Sequence, residues 1–276
     1  EPQQRVFIEL KRQHYPPPFG RSSYGQRDHL EALDADHVRG FWNRHCIANG
    51  AILAFAGSFD FDELVDQVGR LTDGWAGSND ELQQADAPRR GYVHHESDTT
   101  QVHIGLAYDA VPEPDPTSIL QRTAVALLSG GMSGRLFTEV REKRGLCYAV
   151  YAAYAGQRDR GAVLSYAGTT AARAQETLDV LTAEHRRLAE GIEQDEFDRA
   201  IVGMKSRLIM QGESSSARAT AIANDQYIYG RPRTLDELAA KVDAVRREQV
   251  EQFVQQAKPK DMTVVTVGPE PLTATV

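Results

Sequence analysis

The stretch from Leu127 to Tyr151 constrains the fold of this chain more than any other, because its conformational rule changes several times within a few turns. An apolar helix tail ends at Leu127-Leu128-Ser129, and Gly130-Gly131 and Gly134 follow. Glycine adopts φ > 0 and lets backbones approach closely at little steric cost, so these glycines predict a tight joint between two helices. Leu136, Phe137 and Val140 then sit at helical spacing. Basic residues crowd the last turn before Gly145, as a helix C-terminus prefers. Beyond Gly145 the period becomes two, which predicts a strand with Tyr148, Val150, Ala152 and Tyr154 on one face and Cys147, Ala149, Tyr151 and Ala153 on the other.

The rest of the chain reads as alternating helices and short strands. Arg5 to Lys11 is a helical fragment, and Pro16-Pro17-Pro18 with Phe19-Gly20-Arg21 is a stiff loop. Short helices are predicted around Asp28 to Leu33 and from Ala35 to Arg44, the second capped by Asp34. Ala51 to Ala56 reads as a buried strand closed by Gly57, and Asp60 or Asp62 opens a helix through Leu64, Val65, Val68 and Leu71. Residues 77–91 are polar, punctuated by Pro and Gly and without apolar rhythm, which suits an interdomain linker. Strands are then expected at 92–96 and 101–108, a helix at 117–129, and a strand at 162–167 pairing with the one after Gly145. Helices follow over about 171–190, 193–211, 215–228, 234–241 and 246–257, and a last strand at 262–267.

Part of the chain reads as a repeat, the alternative being chance similarity between two helix-helix-strand units. The segment from Leu33 to Phe41 aligns with Val245 to Phe253, and with a single deletion Ile52 to Gly57 falls on Thr263 to Gly268. The apolar positions agree in kind. In the second copy roughly 130 residues lie between its first strand and this closing unit; in the first copy almost none do. A helix-helix-strand unit cannot bury its own apolar faces, so the first copy is expected to be the end of a domain whose remainder lies upstream. The domain reading is therefore 1–76 as the C-terminal part of a first domain, 77–91 as linker and 92–276 as a complete second domain. The fold class is α+β: two β-α rolls, each with helices on one face of a mostly antiparallel sheet, the first truncated at its N-terminus.

Composition excludes some functions. The formal net charge is −8, which disfavours nucleic acid or an anionic membrane surface as partner. No run approaches the ~20 apolar residues of a membrane span, and no secretory segment opens the chain. The compartment is left unknown. Cys46 and Cys147 give no disulfide framework and read as buried thiols. His94-His95-Glu96 with His103 is the nearest approach to a metal cluster, but neighbours on a strand point to opposite faces. His29, His37 and His45 recur every eight residues, which drifts around a helix. Gly131-Met132-Ser133-Gly134-Arg135 lacks the final glycine of a nucleophile elbow, and no Gly-Lys-Ser/Thr phosphate loop is present.

The order Gly130-Gly131, Ser133, Arg135-Leu136-Phe137, Arg141 and Tyr148 resembles the second domain of pitrilysin-type zinc metallopeptidases. The resemblance covers most of the chain, and this motif is its most specific part. It implies a chain that contributes the non-zinc, substrate-clamping domain. By position, Arg141 and Tyr148 would reach substrate at a metal site held elsewhere, and Gly131, Ser133 and Arg135 would shape the adjoining loop. A phenol and a guanidinium both donate to oxygen, as a developing oxyanion requires; Arg141 could alternatively only anchor the peptide backbone. The family's zinc motif, His-x-x-Glu-His, is found at none of the eight histidines, and its distant glutamate ligand would fall upstream of Gly20-Arg21, farther than Glu9. The resemblance thus implies no cofactor in this chain, zinc in the absent N-terminal segment or in a partner subunit, and hydrolysis only together with it. It further implies a peptide substrate bound by addition to a sheet edge, and a homo- or heterodimer. A non-catalytic assembly subunit on the same fold is the alternative.

Overall fold

The structure, a computed structural model, describes residues 1–78 and 87–274. The expected linker at 77–91 lies partly on 79–86, outside the described residues. Two compact units emerge: residues 1–21, 87–210 and 233–274 form one, and residues 22–78 and 211–232 the other.

The larger unit opens with α1 (Pro2–His14), then places β1 (Gly91–Glu96), β2 (Gln101–Ala110), β3 (Cys147–Gly156), β4 (Gly161–Thr170) and β5 (Thr263–Gly268) in one sheet of order β1-β5-β2-β4-β3. Only β1–β5 is parallel; β5–β2, β2–β4 and β4–β3 are antiparallel. β5 lies between β1 and β2 and all its residues are buried, as expected of a short Val/Thr-rich strand with partners on both sides.

One face of this sheet carries the main core. The helix following β2 (Ser118–Ser129) packs on β3, the helix Ala174–Arg187 on β4, and the helix Arg247–Gln256 on the first of these. Val102, Ile104, Leu106, Val163, Ala167 and Val264 supply the sheet's side of that core. A hydrogen-bonded chain pins the Ala174–Arg187 helix down: His185 Nδ1 lies 3.1 Å from the Tyr108 hydroxyl and its Nε2 2.8 Å from Ser165 Oγ. Burial lowers the His185 pKa to about 4, so the ring is neutral and all three groups are satisfied.

The opposite face is covered in part by α1. The sequence groups this helix with residues up to 76, but it packs on β2 and β5, burying Val6 and Leu10 against Ala107, Val265 and Val267. Full burial of two such side chains contributes roughly 1.5–3 kcal/mol each. His14 Nδ1 reaches Thr263 Oγ1 at 3.1 Å, which ties the helix end to β5. Helices therefore lie on both faces of the sheet, most of them on one.

The smaller unit holds the short helix Arg27–Glu31, the helix Ala35–His45 capped by the Asp34 carboxylate, the helix Phe61–Leu71 capped by Asp60, and the helix Ser215–Tyr229. The expected strand at 51–56 does not form. These residues carry no regular secondary structure and join no ladder among the described residues. The first three of these helices bury no residue, and Val38, Phe41, Trp42, Val65 and Leu71 stand exposed.

Candidate functional site

The glycine joint behaves as its sequence predicts. Gly134 sits where a Cβ would lie 2.8 Å from the Leu128 carbonyl oxygen, so only glycine fits the close approach. Gly131 has φ +145°, and Ser133 is exposed beside it. Arg135 turns inward: Nε and a terminal nitrogen donate to both oxygens of Glu196, the latter at 2.5 Å, and that nitrogen also donates to the Gly191 carbonyl at 2.6 Å. Burial pushes the Glu196 carboxyl up, but hydrogen bonds from Arg135 and from the Glu193 amide outweigh it and hold the carboxyl below its usual range. Ser133 and Arg135 line a cleft of about 390 Å³ together with Glu139, Arg187, Glu196 and Arg199.

Residues 137–142 form a π-helix where a regular amphipathic helix is predicted. The wider turn brings the Lys143 amide to the Thr138 carbonyl at 2.9 Å. The left-handed Gly145 then closes the helix, with the Leu146 amide on the Val140 carbonyl at 2.9 Å and the Gly145 amide on the Arg141 carbonyl at 3.0 Å, and the Arg144 guanidinium donates to the Glu139 carbonyl at 2.7 Å. Arg141 is exposed, with its guanidinium 5.1 Å from the centre of the Phe137 ring, and makes no ion pair among the described residues. Its charge is felt at Cys147, where burial pushes the thiol up to about 11 and Arg141 opposes the shift.

Tyr148 departs from the predicted alternation. Cys147 pairs with Thr169 and Ala149 with Gly168, so Tyr148 is the extra residue of a β-bulge. Cys147 joins the main core, on the face assigned to Tyr148 by simple alternation, while Tyr148 turns to the α1 face. Tyr148 is 43% exposed and its hydroxyl donates to Gln101 Oε1 at 2.9 Å. Bulges re-aim one side chain and leave the ladder intact on either side, and that is the effect here.

Behind it lies an aromatic platform. Tyr166, buried in β4, has its ring 5.4 Å from that of Tyr151 and 5.7 Å from that of Phe7 on α1. The Tyr166 hydroxyl is 2.8 Å from His103 Nδ1. Burial, the hydrogen bond with the Tyr148 hydroxyl and the neighbouring phenols and thiol all push the Tyr166 phenol upward, and burial lowers the His103 pKa. Both rings are neutral at ordinary pH. The structure thus brings Tyr148 together with Gln101, Tyr166 and His103. It forms no hydrogen bond between Tyr148 and Arg141 among the described residues.

His103 therefore has a phenol for its partner. His94 and His95 point to opposite faces, His94 to Thr266 at 2.9 Å and His95 toward Glu9 at 3.5 Å. Among the described residues no three His, Cys, Asp or Glu side chains come together as a metal would need, so these residues do not fit a zinc ion.

A profile of the peptidase M16 inactive domain matches residues 32–204. The chain belongs to the peptidase M16 family. Its curated relatives include an uncharacterized zinc protease of Streptomyces coelicolor, 28% identical over 260 residues, covering 91% of this chain and 57% of its own length. Another, an uncharacterized zinc protease of Bacillus subtilis, is 25% identical over 253 residues, with 89% and 60% coverage. The chain thus spans somewhat over half the length of these relatives. In structure it is similar to a peptidase M16 inactive domain from Pseudomonas fluorescens, with TM-score 0.81 and 21% identity over 100% of this chain and 68% of that one. A Helicobacter pylori protease gives TM-score 0.81 at 16% identity, with 97% and 67% coverage. These two likenesses establish the fold, a mixed α+β arrangement around an open five-stranded sheet.

Two members of the polar group on the α1 face, Gln101 and Tyr166, carry no signal in the sequence. Their convergence on Tyr148 depends on the β2–β4 register and on the bulge, and periodicity reveals neither.

Proposed function

We propose that this chain is the substrate-clamping portion of a zinc-dependent M16 endopeptidase, with Tyr148 donating to a peptide carbonyl and Arg141 holding the peptide beside it. The carrying observation is the contact between Tyr148 and Gln101. The Gln101 side chain is an amide, and its carbonyl already accepts the phenol's proton at 2.9 Å, in the geometry a peptide carbonyl would adopt. Arg141 is exposed and unpaired by any ion among the described residues, as an anchoring cation must be. Zinc, when bound by residues outside this chain, would supply the activated water. Ser133 and Arg135 act in this reading through the joint that carries the π-helix, with Gly131 shaping the loop.

The repeat and the bare faces of the smaller unit support the companion reading that residues 22–76 are the closing part of a first roll. The zinc-bearing remainder of that roll, or a partner subunit, would face the clamp.

Peptide cleavage by the intact protein tests this. Tyr148→Phe keeps the ring and removes the donor, and losing one oxyanion donor costs ~3–4 kcal/mol, or about 10²–10³ in kcat, with KM nearly unchanged. Undiminished kcat in that variant would remove Tyr148 from the chemistry. Absence of zinc and of cleavage in the intact protein would leave the assembly-subunit reading.

A further inference from the structure

The phenol of Tyr148 is held by groups outside the Gly130-to-Tyr148 motif. Gly168 lies directly beneath it in β4. A Cβ built there would stand 2.5 Å from the Tyr148 hydroxyl and 2.7 Å from the Tyr166 hydroxyl, so the two oxygens converge on the space that a side chain would fill. Gly168 pairs with Ala149 on β3 and with His103 on β2, its backbone is ordinary strand, and no conformational strain calls for glycine there. What glycine provides at this position is room for two hydroxyls.

We infer that His103, Tyr166 and Gly168 are positioning residues that fix the Tyr148 phenol as an outward hydrogen-bond donor. The inference rests on the clamping role proposed for Tyr148. The order of donation is set from the outer end, where the Tyr148–Gln101 contact has one direction. Tyr148 gives its proton to Gln101 Oε1, so its oxygen is left to accept. Tyr166 is the group beside it: both hydroxyls stand over Gly168, 2.5 and 2.7 Å from where its Cβ would lie, so the Tyr166 O–H is the donor placed to meet that oxygen. His103, 2.8 Å from the Tyr166 oxygen, then donates through Nδ1–H. The chain runs from His103 to Tyr166 to Tyr148 and ends on an amide carbonyl. Each bond polarises the next, and the exposed O–H at the end becomes the better donor. No proton is transferred and no charge is created.

Two measurements on the intact protein test this. Nitrogen-15 NMR should show His103 as the Nδ1–H tautomer in the wild type; an Nε2–H tautomer, with Nδ1 accepting from Tyr166, overturns the chain whether or not the protein cleaves peptides. In peptide cleavage, Tyr166→Phe and Gly168→Ala should each lower kcat about tenfold with KM within about twofold, and neither should lower it further in a Tyr148→Phe background, since groups acting through one another are non-additive. Equal losses in both backgrounds, or unchanged kcat in both single variants, overturn the positioning role. If Tyr148→Phe itself leaves kcat unchanged, the clamping role fails, and the tautomer alone decides the chain of donation.

Discussion

His14 and His185 carry no charge near neutral pH, because burial lowers the pKa of each to about 4; at His14 the Asp109 carboxylate opposes the shift and Arg90 adds to it. The folded pKa lies below the unfolded value of about 6.5, so below that pH the unfolded chain takes up protons that the folded chain refuses. Their contribution to stability is complete above about pH 6.5 and falls as pH drops toward 4, by up to about 1.4 kcal/mol per pH unit for each ring. Urea unfolding at pH 7, 5.5 and 4.5 should show this decline, and a His185→Gln variant should show a shallower one. A decline of the same slope in that variant would exclude His185 as a source. Neither residue was legible as a core group from the sequence. His14 ends a helix whose packing partner lies across the chain, and His185 sits among charged residues, Glu184 and Arg186, that mask its burial.

At the level of elements, the pattern of apolar residues located most helices to within a few positions, and the caps at Asp34 and Asp60 form as their side chains require. Two elements were not legible. Six residues span too few turns for apolar spacing to separate a π-helix from an α-helix at 137–142. A bulge adds one residue without changing composition, so the faces of Cys147 and Tyr148 came out exchanged. The bulge makes a direct prediction. Deleting Cys147 should restore unbroken pairing and turn the phenol into the core position that the thiol now fills. The variant should lose stability, since a phenol overpacks a site shaped for a thiol, typically by about 1–3 kcal/mol. Its Tyr148 ring should become inaccessible to iodination or nitration. A ring that stays reactive would show that the strand finds another register.

For the whole molecule, the second half of the repeat shows what the first half lacks. Val250 and Val254 are buried, and β5 is paired on both edges; the matching Val38 and Trp42 are exposed, and 51–56 is unpaired among the described residues. The proposed repeat rests on apolar positions of the same kind in both copies, and only the second copy forms its strand among the described residues. The destination of α1 was not legible, because sequence adjacency suggested one unit and the β2–β5 face provided the better match. The bare residues on the helices Ala35–His45 and Phe61–Leu71 also bear on handling. Large clustered apolar side chains in water favour contact between molecules. Prepared by itself, this chain should scatter increasing light as its concentration or the sulfate content rises, and substituting Phe41 and Trp42 with serine should abolish most of that scattering without moving the unfolding midpoint of the larger unit. Equal scattering in the substituted chain would place the adhesive surface elsewhere.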